Sequence, residues 1–144
     1  MSLLENKKAS FNYQFLDTYE AGIELLGAEV KSLRARHGSL SGAYIAVVGG
    51  ELFLLGAHIP AWQEKNAGPT FDPYRTRKLL VKKKELLELL RASQTKGLTI
   101  LPLSLYSKGR YIKAQIAVAK GKKLVDKRES IKKRDLDREL RRGE

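Results

Sequence analysis

A chain of 144 residues is one domain's length and can bury a core, and its 42% hydrophobic content is ordinary for a globular protein. The charge is not ordinary: 28 Lys and Arg stand against 16 Asp and Glu, a net +12, which points to a polyanion, nucleic acid first and an anionic membrane surface second. Cysteine is absent, and the only histidines, His37 and His58, are not at metal-ligand spacing, so disulfide frameworks, thiolate metal sites and thiol nucleophiles are excluded and no metal or cofactor is expected.

The opening turns charged at once, with no signal peptide, and Asn6, Lys7 and Lys8 sit just before a strand expected over Tyr13 to Thr18. From Glu20 a second strand places Ile23 and Leu25 on one side, Gly22 and Glu24 on the other. Gly27 lets the backbone turn. Ala28 to Ala35 then reads as a short helix that buries Val30 and Leu33 and leaves Lys31, Arg34 and Arg36 in solvent. It carries Glu29 in its first turn, where a carboxylate suits the helix dipole. His37 to Gly42 is a loop.

Ala43 to Val48 and Leu52 to His58 form a hairpin across Gly49-Gly50. Both strands are apolar at nearly every residue, so both faces should be covered. The longest apolar stretch, around Leu52 to Trp62, is too short to cross a bilayer and holds Gly56 and Pro60; with no signal peptide either, the chain reads as cytoplasmic. Pro60 to Pro73 shows no period and reads as a mobile surface loop. Arg75, Arg77 and Lys78 follow within four residues, a spacing at which cations can meet successive phosphates; a solvated charge run is the alternative.

Lys82 to Lys96 is the clearest helix. Leu86, Leu89 and Leu90 recur at i, i+3 and i+4, Lys84 and Glu88 form an i, i+4 pair, and Gly97 ends it. Leu98 to Tyr106 and Tyr111 to Lys120 are two strands. In the second, Ile112, Ala114, Ile116 and Val118 alternate with Tyr111, Lys113, Gln115 and Ala117, which leaves one face free for solvent or ligand. The expected fold is therefore mainly β with two or three helices: an OB-like antiparallel barrel of about six strands over residues 1–120, a common host for nucleic acid.

Residues 121–144 change regime. They hold 10 Lys and Arg against 6 Asp and Glu, no aromatic residue and few aliphatic ones, leaving 18 cations and 10 anions on residues 1–120. Wound as a helix, Lys127, Arg134, Arg138 and Arg141 fall within about 60° of one another, with Leu136 and Leu140 opposite. No apolar stripe exists to dock this tail, so it is expected to be disordered when free and helical when bound to a polyanion. For want of an aromatic or leucine-rich face it is not a membrane anchor. No catalytic constellation can be assembled either: there is no Ser-His-Asp pattern, no GxxxxGK[ST] loop and no GxGxxG fingerprint, so the chain reads as a binding protein and not an enzyme.

The stretch EAGIELLGAEVKSLR, from Glu20 to Arg34, resembles the EAGIxLxGxEVKSLR signature of the SsrA-binding protein (SmpB) family. The likeness extends to Asn6-Lys7-Lys8-Ala9, to the PxRxRKLL motif from Pro73 to Leu80, and to GKKxxDKRExxKxRD from Gly121 to Asp135. It implies the same barrel. It also implies a protein that grips the transfer-RNA-like domain of transfer-messenger RNA, delivers it to stalled ribosomes and places its tail against small-subunit ribosomal RNA in the empty decoding centre and messenger channel. Alanylated transfer-messenger RNA with elongation factor Tu is implied as a further partner. On this resemblance, with the charge pattern, the RNA-binding candidates are Asn6, Lys7, Lys8, Glu20, Lys31, Arg34, Arg36, Arg75, Arg77, Lys78, Leu80 and Lys82. Gly121, Lys122, Lys123, Lys127, Arg128, Lys132, Lys133, Arg134, Arg138 and Arg141 would line the ribosomal channel. Glu20 and Leu80 match family positions that support RNA binding; for Glu20 the alternative is a structural partner for a nearby arginine. Lys82 stands where Asn or His is common, and Leu124 and Val125 where some members carry His. The competing reading is a generic OB-fold RNA-binding module or ribosome-associated translation factor.

Overall fold

A computed structural model describes residues 2–62 and 71–122. Its elements run β1 (Ser2–Glu5), α1 (Ala9–Asn12), β2 (Tyr13–Ile23), α2 (Gly27–Arg34), β3 (Tyr44–Val48), β4 (Glu51–Leu55), β5 (Arg77–Leu80), α3 (Lys83–Ser93), β6 (Leu98–Lys108) and β7 (Tyr111–Gly121). The strands are hydrogen-bonded in the order β1-β6-β3-β4-β5-β2-β7, and β7 pairs back onto β6, so six strands form a ring with β1 added on the outer edge of β6. Among the described residues every ladder is antiparallel. This is the mainly β architecture with three helices that the residue pattern called for, with one strand more.

The long β6–β7 and β2–β7 ladders follow from simple alternation. Ile112, Ala114, Ile116 and Val118 all turn into the core with Leu52, Leu54, Leu79, Ile100 and Leu105. Ala117, expected on the free face, is buried too, beside a second small cluster in which Ala9 of α1 covers Leu101 and Ala119. β6 bulges at Leu103, between Pro102 and Ser104, which is where a proline is tolerated inside a strand. Asn6 serves that bulge: its N–H donates to the Leu103 carbonyl at 2.8 Å and its Nδ2 to the Pro102 carbonyl at 3.0 Å.

Several expectations are corrected. The two N-terminal strands are one, because β2 runs unbroken through Thr18 to Ile23 and only bulges at Leu16. β1 and α1 carry too short an apolar pattern to be read from sequence. β3 and β4 are not covered on both faces: Ile45, Leu52 and Leu54 are buried, while Val48 and Tyr44 are exposed. Gly56, at φ +75, ends β4 before His58, which instead forms an isolated bridge with Ser39. The loop after Pro60 is anchored at its start, where Ile59 and Ala61 are buried and the Trp62 N–H donates to the Ala28 carbonyl at 2.9 Å; residues 63–70 lie outside the described residues. α3 is shorter than expected by one residue at its start and three at its end. Ser93 and Thr95 side chains donate to the Leu90 and Arg91 carbonyls and take over the last turn's acceptors. Glu88, expected to pair with Lys84, accepts from the Tyr19 hydroxyl at 3.0 Å. Burial, with that bond to Glu88 adding to it, raises the Tyr19 pKa to about 12, so the phenol remains the donor.

Gly38 holds the tightest turn. It sits at φ +134, and a Cβ there would lie 2.7 Å from the His58 carbonyl oxygen. Gly38→Ala is expected to destabilise the fold by about 1–3 kcal/mol, since the backbone strain cannot relax away from a neighbouring main chain. Gly49→Ala, at φ +59 with open space around it, should lose only about 1–2 kcal/mol. Urea denaturation midpoints of the two variants measure the difference.

Candidate nucleic-acid interface

The outward face of β2, β5, β6 and β7 gathers a polar patch. Glu20 and Gly22 of β2 lie opposite Gln115 and Lys113 of β7, Lys113 lies opposite Tyr106 of β6, and Gly22 lies opposite Leu80 of β5. Because directly opposed residues share a face, these side chains project together. The Tyr106 hydroxyl donates to Glu20 Oε2, and Lys108 Nζ donates to both Glu20 oxygens at 3.1 and 3.3 Å. Hydrogen bonds from Tyr106 and then Lys108 hold the Glu20 carboxyl below the usual range. Burial and the Glu20 bond raise the Tyr106 pKa to about 12. The partners of Glu20 are thus a phenol and a lysine, not the arginine weighed above.

Gly22 keeps the middle of the patch low: an added Cβ would meet the Leu80 Cβ at 3.5 Å and Lys113 Nζ at 3.8 Å. Leu80 is 49% exposed, an apolar contact surface beside Gly22. Lys113 in turn lies over the Tyr111 ring, 5.8 Å from its centroid. Glu20 and Leu80 were legible from motif resemblance; Tyr106 and Lys108 were not singled out, although the β7 alternation had placed Tyr111, Lys113 and Gln115 on the free face.

The arginines of the PxRxRKLL motif behave otherwise. β5 alternates, so Arg77 and Leu79 point in while Lys78 and Leu80 point out. Arg77 is fully buried and has every donor engaged. Nε and Nη2 bond Glu29 Oε2 at 2.9 and 2.5 Å, Nη1 bonds the Ala57 and Arg75 carbonyls at 3.0 and 2.9 Å, and Nη2 also reaches the Ile59 and Pro73 carbonyls at 3.1 and 3.0 Å. Arg75 bonds the same carboxylate through Nε at 3.0 Å and Nη2 at 2.5 Å. Glu29 is itself fully buried and also accepts the Leu26 N–H at 2.8 Å, the N-terminal bond of α2. Burial pushes the Glu29 carboxyl up, but hydrogen bonds from Arg75, the Leu26 N–H and Arg77 outweigh it and hold the carboxyl below its ordinary value. Burial pulls Arg77 down, opposed by Glu29. The expectation that Arg75, Arg77 and Lys78 meet successive phosphates therefore fails for Arg77, which has no donor left to offer, and Arg75 is half withdrawn into the same network. Lys78 is partly exposed and pairs with Glu51 at 3.4 Å.

The remaining candidates are spread around the body. Lys7 and Lys8 are exposed at the start of α1, whereas Asn6 is half-buried on β6. Lys31, Arg34 and Arg36 are exposed as expected, but Arg34 also donates to the Arg110 carbonyl at 3.2 Å and so ties α2 to the β6–β7 turn. Lys82 is exposed at the N-cap of α3. Gly121 still belongs to β7, opposite Tyr13, and the Lys122 N–H donates to the Asn12 carbonyl at 3.0 Å. Lys123, Lys127, Arg128, Lys132, Lys133, Arg134, Arg138 and Arg141, and the tail's expected conformation, lie outside the described residues. Among the described residues no helix is long and apolar enough to cross a membrane.

A family profile described as SmpB protein matches residues 3–143. An SsrA-binding protein of Prochlorococcus marinus is 51% identical over 141 residues, covering 96% of this chain and 79% of the relative. One of Lactobacillus delbrueckii is 49% identical over 97% of this chain and 91% of its own, and one of Burkholderia lata is 46% identical over 99% and 96%. A solved chain from a structure described as "tmRNA-SmpB: a journey to the center of the bacterial ribosome" superposes with a TM-score of 0.72 at 42% identity, over 91% of this chain and 95% of that one.

Removing one partner from a buried ion network strands the other. Arg77→Met is expected to cost about 3–5 kcal/mol, against about 0–1 kcal/mol for Lys78→Ala at the exposed Glu51 pair. Glu29, with a depressed pKa in the folded state, contributes its stabilisation fully above its ordinary value of 4.5 and loses it as the pH falls below that toward the depressed value. Urea unfolding from pH 7 down to pH 3 should therefore show a steeper acid loss for the natural chain than for Glu29→Gln.

Proposed function

Since this chain belongs to the SmpB protein family, we propose that it binds the transfer-RNA-like domain of transfer-messenger RNA and carries it to stalled ribosomes for trans-translation. It acts as a cytoplasmic RNA-binding protein and not as an enzyme. The observation that carries the reading is the match over residues 3–143 together with the superposition on a chain described with transfer-messenger RNA and the ribosome. The geometry supports it. The Glu20, Tyr106, Lys108, Lys113 and Leu80 patch offers acceptor, donors, cations and an apolar surface on one rigid face. That is what a folded RNA loop with exposed base edges requires.

The tail then performs a separate task. Body and tail carry +8 and +4, so each attracts RNA on its own. On an RNA without an anticodon arm, the body fills the space of that arm. The tail enters the vacant decoding centre and messenger path, with Lys127, Arg134, Arg138 and Arg141 facing phosphates. Elongation factor Tu accompanies the alanylated RNA in this scheme. A generic ribosome-binding barrel is the competing reading; it lacks preference for the transfer-RNA-like domain over bulk RNA at physiological salt.

Two measurements test the division of labour. Truncation after Lys122, which keeps its bond to Asn12, should leave affinity for the transfer-RNA-like domain largely intact and abolish tagging on stalled ribosomes; loss of the RNA affinity itself refutes the assignment. Glu20→Ala should weaken that affinity roughly tenfold, the order expected when hydrogen bonds to a charged group are removed. Unchanged binding in a filter titration removes Glu20 from the interface.

A further inference from the structure

Away from the strand patch, three loops converge just outside the buried Glu29 network, and each carries rings. His37 stacks on Trp62 with centroids 5.9 Å apart and planes at 28°, and His58 lies against Tyr74 at 4.9 Å and 57°. Backbone bonds join the loops: Ser39 N–H to the His58 carbonyl at 2.8 Å, His58 N–H to the Ser39 carbonyl at 2.9 Å, and Ile59 N–H to the Pro73 carbonyl at 2.9 Å. Arg77 fastens the same junction from below through the Ala57, Ile59 and Pro73 carbonyls. The rings are therefore held on fixed backbone, yet Tyr74 remains 56% and Trp62 37% exposed.

Core packing does not account for rings so open to solvent on so well pinned a scaffold. Arg36, exposed and at φ +62 immediately before His37, adds a cation at the rim, and Lys31 and Arg34 stand exposed on the preceding helix. Exposed aromatic faces flanked by cations are the chemistry of single-stranded nucleic acid, where bases stack and phosphates are neutralised alongside. We infer that this loop junction is a second RNA site, taking unpaired nucleotides whose bases stack on Trp62 and Tyr74 while Arg36 faces the backbone. The site shares no side chain with the strand patch and does not depend on the identity of the RNA bound there.

Trp62 is the chain's single tryptophan, so its fluorescence reports the site directly. The full-length protein is titrated with a single-stranded ten-nucleotide RNA and, in parallel, with an abasic ribose-phosphate chain of the same length and charge. The inference requires saturable quenching by the RNA and little by the abasic chain. It also requires that Tyr74→Ala and His37→Ala weaken the quenching constant by at least about fivefold, the low end of what one stacked base contributes, and that Tyr74→Phe retains it. No quenching, equal quenching by the abasic chain, or an unchanged constant in either alanine variant overturns it.

Discussion

A single buried carboxylate holds the arrangement together. Glu29 lies out of solvent on α2 and is shared by two guanidinium groups from the segment entering β5, 46 and 48 residues further along. Ionised in the interior, it is tolerable only because five donors converge on its two oxygens. A network of this kind is no stronger than a well-packed apolar core would be, but it is directional. It fixes α2, the end of the β4 loop and the start of β5 in one relative position, something undirected hydrophobic packing specifies far less sharply.

Both proposed surfaces inherit that position. With Arg77 turned inward, the period of β5 forces Leu80 outward, three residues on and beside Gly22. The apolar element of the strand patch thus depends on an arginine buried beneath it. On the other side, the carbonyls that Arg77 collects belong to the loops bearing His58 and Tyr74. One side chain therefore sets the register of one surface and the closure of the other.

Much of the sheet was legible because its long strands alternate cleanly: the inward set Ile112, Ala114, Ile116 and Val118 was read correctly, and on and just after α2 so were the three outward cations Lys31, Arg34 and Arg36. What failed to show in sequence was pairing at a distance. The RTRK run looks the same whether its arginines reach solvent or the core, since the deciding acid lies on another element and was read only as a dipole partner for its own helix. β5 was missed for a related reason: four residues carrying two cations have no strand signature until the neighbours β4 and β2 supply the hydrogen bonds. Tyr106 and Lys108 were missed because a residue type so common on surfaces acquires meaning only when Glu20 is found within reach. Asn6, grouped with Lys7 and Lys8 by adjacency, proved to serve the β6 bulge.

It follows that net charge overstates the number of cations free to meet RNA. Arg77 is wholly internal, Arg75 half so, Arg34 shares its guanidinium with a carbonyl of the β6–β7 turn, and Lys78 and Lys108 face carboxylates. Each of these positive charges still raises the long-range potential that draws a polyanion in, because Coulomb attraction at a Debye length of about 8–10 Å does not require contact. Close contact is another matter, since it needs a donor without a better partner. On the proposed reading, the cations that steer and the groups that recognise are consequently different sets. In the proposed strand patch, discrimination would come from Tyr106, Leu80 and Glu20 fixed on rigid strands, with Lys108 and Lys113 beside them and the more distant lysines and arginines supplying attraction.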